Sequence, residues 1–146
     1  MKRLILMLTI VLSCTLGAHA SDIKVTPTVL ESFNTSFRNA TDVTWTVTEN
    51  YFKAQFNINE QYVAAYYDQD GHMIALTRNI RTSQLPIALQ VTVKNNYEDC
   101  WISDLFELTN DQGTSYFITL ENADARIILK SGFDSTWTVY KKTSKK

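Results

Sequence analysis

The chain has 146 residues, 45% of them hydrophobic, with 14 Lys+Arg against 15 Asp+Glu and a formal net charge of −1. That balance excludes the broadly basic surface by which proteins hold nucleic acid. From residue 21 onward there is one cysteine, Cys100, and one histidine, His72, which excludes an intramolecular disulfide and leaves either residue without a second of its kind for catalysis.

Met1-Lys2-Arg3 carries positive charge and precedes an uncharged apolar run, Leu4 to Leu12. These are the first two regions of a secretory signal. Ala18-His19-Ala20 then places small residues where signal peptidase reads, so residues 1–20 are expected to be a signal peptide cleaved before Ser21. The run falls well short of the ~20 apolar residues that cross a bilayer, so no membrane span is expected here. Val11-Leu12-Ser13-Cys14 offers an alternative, a lipobox-like site at which Cys14 would be lipidated and anchor the chain. The expected location is periplasmic or secreted, with anchoring through Cys14 as the alternative. Residues 21–146 suffice for one domain with its own core.

Pro27 suits a first helical turn, and Val29 or Leu30, Phe33 and Phe37 share a face at steps of three and four, before Asn39-Ala40-Thr41 ends the helix. Period two follows, with Val43, Trp45 and Val47 opposed to Thr44, Thr46 and Thr48. Glu49-Asn50 turns into a strand, Tyr51 to Ile58, and Asn59-Glu60 into another, Gln61 to Asp68. A two-residue loop there sets Phe56 against Val63, Ala54 against Ala65 and Phe52 against Tyr67, all on one side. Asp70-Gly71 predicts a type I′ turn, and the fourth strand, His72 to Ile80, sets Ile74 against Tyr67 and Leu76 against Ala65.

The programme then recurs. Thr82-Ser83-Gln84-Leu85-Pro86 starts a second helical stretch with Leu85, Leu89, Val93 and Tyr97 every four residues, interrupted by β-branched Val91. Strands are expected over Trp101 to Leu108, in a hairpin about Asn122-Ala123, and over about Thr136 to Lys141. In the hairpin Tyr116, Ile118 and Leu120 are set against Leu129, Ile127 and Ala125. Lys141, Lys142, Lys145 and Lys146 read as a frayed, solubilising end. Val29, Phe33 and Phe37 align with Leu89, Val93 and Tyr97 at a constant offset. The expected fold is therefore α+β, a tandem repeat of a helix plus a four-stranded antiparallel sheet over about residues 26–80 and 83–141. Helices would cover one face and leave the other open; one continuous sheet and two separate sheets both remain open.

The chemistry-bearing residues point away from catalysis. No nucleophile motif surrounds the serines or Cys100, which reads as a small buried hydrophobe. His72 reads as an exposed hairpin residue, and Asp68-x-Asp70-Gly71 lacks the glycine and glutamate positions of a calcium loop. No catalytic residue, metal ligand or cofactor is assigned. If the apolar row faces the helices, then Lys53, Gln55, Tyr62, Tyr66 and Met73 face the other way, joined in the second half by Phe117, Thr119, Arg126, Ile128 and Lys130. A face with Tyr, Phe, Arg and Met has the composition of a protein interface.

The stretches Phe37-Arg38-Asn39-Ala40-Thr41-Asp42-Val43-Thr44-Trp45, Tyr51-Phe52-Lys53-Ala54-Gln55-Phe56 and Ala64-Ala65-Tyr66-Tyr67-Asp68-Gln69-Asp70-Gly71 resemble the β-lactamase-inhibitor-like, PepSY-like proteins exported by Bacteroidetes. The resemblance implies a tandem helix-plus-sheet fold, a periplasmic or surface location and no catalytic residues. In the inhibitor that lends its name, a concave sheet grips an enzyme; no inhibitory loop of that protein is matched here. The expected function is an exported, non-catalytic, inhibitor-like binding module that uses the open face for a protein or peptide in the envelope. The alternative is a structural or self-associating envelope protein, such as a homodimer, without a dedicated ligand.

Overall fold

The computed structural model describes residues 24–132 and 134–145, so the expected signal peptide, its cleavage site and Cys14 lie outside the described residues. Thr26 Oγ1 accepts a hydrogen bond from Val29 N at 3.3 Å, and Pro27 occupies the first turn of helix α1, Pro27–Ser36. The hydroxyl satisfies one amide that the helix leaves unpaired, and proline has no amide to lose. Four strands follow: β1 (Thr41–Val47), β2 (Phe52–Ile58), β3 (Gln61–Tyr67) and β4 (Met73–Asn79). A 3-10 turn, Thr82–Gln84, leads to helix α2 (Ile87–Asn96) and to β5 (Trp101–Asn110), β6 (Gly113–Glu121), β7 (Ala125–Ser131) and β8 (Trp137–Ser144). Leu85 is buried, yet it precedes α2, whose N-cap is Pro86.

The eight strands form one antiparallel sheet in sequence order, joined in the middle by pairs running from Leu76↔Thr109 to Asn79↔Phe106. The sheet is open, with β1 and β8 at its edges. Opposed residues of an antiparallel pair point to the same side, so the register can be followed across the sheet. Phe52, Ala54 and Phe56 lead through Tyr67, Ala65 and Val63 to Leu76 and Arg78, and onward through Glu107 and Leu105 to Tyr116, Ile118, Leu129 and Ile127. Val29 and Phe33 of α1 pack on the first part of this row, and Leu89 and Val93 of α2 on the last. Both helices thus cover the same face. Trp137 Nε1 donates to Leu89 O at 3.0 Å and ties the edge strand β8 to α2.

The β2–β3 register is the expected one, and its turn, Asn59-Glu60, has φ of 49° and 62°. Positive φ at both central residues is the type I′ geometry. The Asp-Gly turn differs from expectation: Gly71 has φ 83°, whereas Asp70 does not enter the left-handed region. Gly71 N donates to Asp68 O and Asp68 N to His72 O, which closes a longer loop with glycine at its left-handed position. A Cβ at Gly71 would also stand 3.0 Å from Thr28 Cγ2, so this turn packs against the start of α1.

Three further expectations are corrected. In β4 a bulge leaves Ile74 unopposed and sets Met73, not Ile74, against Tyr67. The β6–β7 hairpin pairs Ile118↔Leu129 and Leu120↔Ile127, two residues from the expected register. Its loop centres on Ala123-Asp124 because Asn122 Oδ1 accepts from Asp124 N and Ala125 N; an even shift leaves every side chain on its expected face. The lysine-rich end is tied down rather than frayed as far as it is described: Lys141 and Lys142 pair with Ile128 and Ile127 in β8, and Lys145 N, just past the strand, donates to Asp124 O, while Lys146 lies outside the described residues. No helix among the described residues is long and apolar enough to cross a membrane.

Candidate functional site

The face without helices carries the other half of each strand's alternation. Tyr51 stands edge-on to Tyr66 at 5.6 Å, and the Lys53 ammonium lies 5.6 Å above the Tyr66 ring. Gln55 Nε2 donates to Tyr62 Oη on the same rows. Ala64 and Thr77, both small, form part of a recess of about 250 Å³ between Tyr62 and Tyr66 on one side and Asp104 and Phe106 on the other. Beyond it Phe106 stacks on Phe117, with centroids 5.1 Å apart and planes 6° apart, and Phe117 meets Tyr140 edge-on at 5.6 Å. Lys130 reaches 5.7 Å above Phe117. Offset and edge-on rings with cations over their faces hold one another in place.

Of the expected face residues, Lys53, Gln55, Tyr62, Tyr66, Phe117, Arg126, Ile128 and Lys130 share this side by register. Met73 does not extend the row, because the bulge places it opposite Tyr67, whose ring lies in the helix-side core. Thr119 is on the open side but only 4% exposed, covered by its neighbours. Phe106, Asp104 and Tyr140 were not among the residues read from the sequence as belonging to this face. Alternation through Asp104, Phe106 and Leu108 signals the first two. Bulges between Ile102 and Asp104 and between Ile128 and Leu129 obscure that signal for their strands as wholes.

At one rim, Lys145 Nζ lies 2.8 Å from Glu121 Oε2 and 4.7 Å from the Trp101 ring centroid, and Arg126 approaches Glu121 at 3.8 Å. The hydrogen bond from Lys145 holds the Glu121 carboxyl below the usual carboxylate range. On the helix side, Arg78 forms a two-pronged pair with Glu107, at 2.9 and 3.0 Å, across the β4–β5 join.

His72 and Cys100 stay apart in chemistry as well as in sequence. Asp68 Oδ1 accepts from Asp70 N and His72 N, and Oδ2 lies 3.2 Å from His72 Nδ1. The backbone bond from His72 holds the Asp68 carboxyl below its ordinary range. Asp68, Asp70 and His72 are close enough to share a cation, but the carboxylate of Asp68 already closes the hairpin. Cys100 is half-buried rather than buried, and burial raises its thiol above the ordinary range, which lowers the thiolate fraction that reacts.

No family model matches the chain, and no curated protein matches it in sequence. Solved structures do match it in shape. A BLIP-like protein from Bacteroides fragilis NCTC 9343 superposes with a TM-score of 0.71 at 14% identity, covering 86% of this chain and 89% of its own. The chain has a BLIP-like fold. A DUF2874 family protein from Bacteroides uniformis ATCC 8492 gives a TM-score of 0.73 at 12% identity, over 83% of this chain and 90% of its own. A protein from Bacteroides eggerthii DSM 20697, provisionally described as periplasmic, gives 0.73 at 10% identity, over 83% and 89%. At identities this low the superpositions show a shared fold and nothing more; which residues act must be argued from this chain's own face.

Proposed function

We propose that this chain is an exported, non-catalytic protein-binding module that uses the helix-free sheet face, in the manner of an inhibitor. The single observation that carries the reading is the run of rings on that face, Tyr51, Tyr66, Phe106, Phe117 and Tyr140, held in stacked and edge-on contacts around a shallow recess. Rigid aromatic side chains gather binding energy because they lose little conformational freedom on contact. The BLIP-like fold supports the same reading, as does the leader-like N-terminal sequence for export. In this view the face is built by two PepSY-like units, about residues 26–80 and 83–141, each a helix and four strands.

The test is recovery of a partner from periplasmic extract by the wild type and by the Tyr66→Ala/Phe117→Ala variant. Both residues are half-buried on the open side, outside the two cores, so the variant is expected to fold and to lose the partner that the wild type retains. Equal recovery by both proteins overturns the proposed face.

A further inference from the structure

The charges of the open face say what kind of partner fits it. Residues 21–146 carry 12 Lys+Arg against 15 Asp+Glu, yet the balance on this side is reversed. Register and ring contacts bring Lys53, Arg126, Lys130, Lys141 and Lys145 to it. Among the described residues, the acids that register and side-chain contacts place on it are Asp42, whose carboxylate accepts from Asn57 Nδ2 at the β1 edge, Asp104, which lines the recess, and Glu121. Glu121 is already matched by Lys145 and Arg126. Five cations against three acids leave this side with a small positive excess, carried near the rings by Lys53 over Tyr66 and Lys130 over Phe117.

Resting on the proposed use of this face, we propose that its partner is an acidic protein segment that places an aromatic side chain in the recess between Tyr66 and Phe106. The recess, about 250 Å³, takes one large side chain. Ala64 and Thr77 contribute only small side chains to it; Lys53 and Asp104 both line it, and Lys53, over the Tyr66 ring, is the group that meets a partner's carboxylate. Complementary potentials speed encounter and reject like-charged partners. The same argument disfavours a second copy of this chain on this face, because each cation would meet a surface of its own sign.

The experiment uses the full mature chain and three labelled peptides of one length: Trp flanked by Glu, the same with Gln for Glu, and the same with Lys for Glu. Fluorescence anisotropy is read at low and at physiological salt for wild type, Lys53→Glu/Lys130→Glu and Tyr66→Ala/Phe117→Ala. The acidic peptide is expected to bind at least tenfold tighter than the neutral one, with the margin shrinking in salt. It should lose that margin with Lys53→Glu/Lys130→Glu and lose binding altogether with Tyr66→Ala/Phe117→Ala. Equal binding of all three peptides, still abolished by Tyr66→Ala/Phe117→Ala, overturns the acidic partner and leaves the face standing. Binding indifferent to Tyr66 and Phe117 overturns both readings. No binding by any peptide, or a dimer in sedimentation that Tyr66→Ala/Phe117→Ala dissolves, overturns the acidic segment as occupant.

Discussion

Tyr67 owes its acid–base behaviour to burial alone. It is 1% exposed, and its hydroxyl is the one buried side-chain polar atom without a hydrogen-bond partner among the described residues. Removal from water raises its pKa from 10.0 to about 12, because the phenolate is the form that burial penalises. The unfolded chain ionises this group near pH 10 while the folded chain keeps it neutral. Its contribution to stability is thus fully present below pH 10 and is lost as pH rises toward about 12. Replacing Tyr67 by Phe is expected to leave stability at pH 7 unchanged or raise it by up to about 1 kcal/mol, since an unpaired buried hydroxyl is removed. It should also shrink the loss between pH 10 and 12. Urea midpoints at pH 7 and pH 11 check both statements, and a large fall at pH 7 would falsify the unpaired hydroxyl.

The hairpins separate what alternation can predict from what it cannot. The β2–β3 ladder was legible because Phe52, Ala54 and Phe56 and their partners are apolar at every second position, and a slip by one residue would expose all of them. Its turn holds Glu60 at φ 62°, a conformation that crowds a Cβ and that glycine adopts freely. Glu60→Gly is expected to raise the thermal midpoint, by up to about 1 kcal/mol of stability, in a calorimetric comparison with wild type. No gain would mean that the Glu60 side chain offsets its own strain. The β6–β7 register was not legible, because the side-chain bonds of Asn122 decide where the loop turns. Bulges at Ile74 and near Ser103 were equally hidden: each adds one residue to a strand without altering its composition.

At the scale of the molecule, the decisive feature is the β4–β5 join that makes eight strands one sheet. Arg78 and Glu107 brace it on the helix side, between two separate cores. The pair is partly exposed, so Glu107→Ala is expected to cost about 1 kcal/mol. Urea unfolding of the Glu107→Ala variant, followed in one sample by tryptophan fluorescence and by far-ultraviolet circular dichroism, should give coincident transitions at the same reduced midpoint. Non-coincident transitions would mean that the sheet does not unfold as one cooperative unit.

Helical and twofold spacing in the amino-acid sequence by themselves determined both helices, most strands and the side on which Phe33, Phe56, Leu89 and Ile118 are buried. Local steric and hydrophobic periodicity suffices for that, since each element must put its apolar side against something. Only the tertiary structure decided that all eight strands share one sheet, that Met73 leaves the open row, and that Tyr140, at the β8 bulge, joins Phe117 on the other face. Those outcomes depend on pairing between strands distant in sequence and on single-residue bulges. Alternation alone put Lys53 and Lys130 on the helix-free side of their own strands, and the β4–β5 join is what makes those sides one surface.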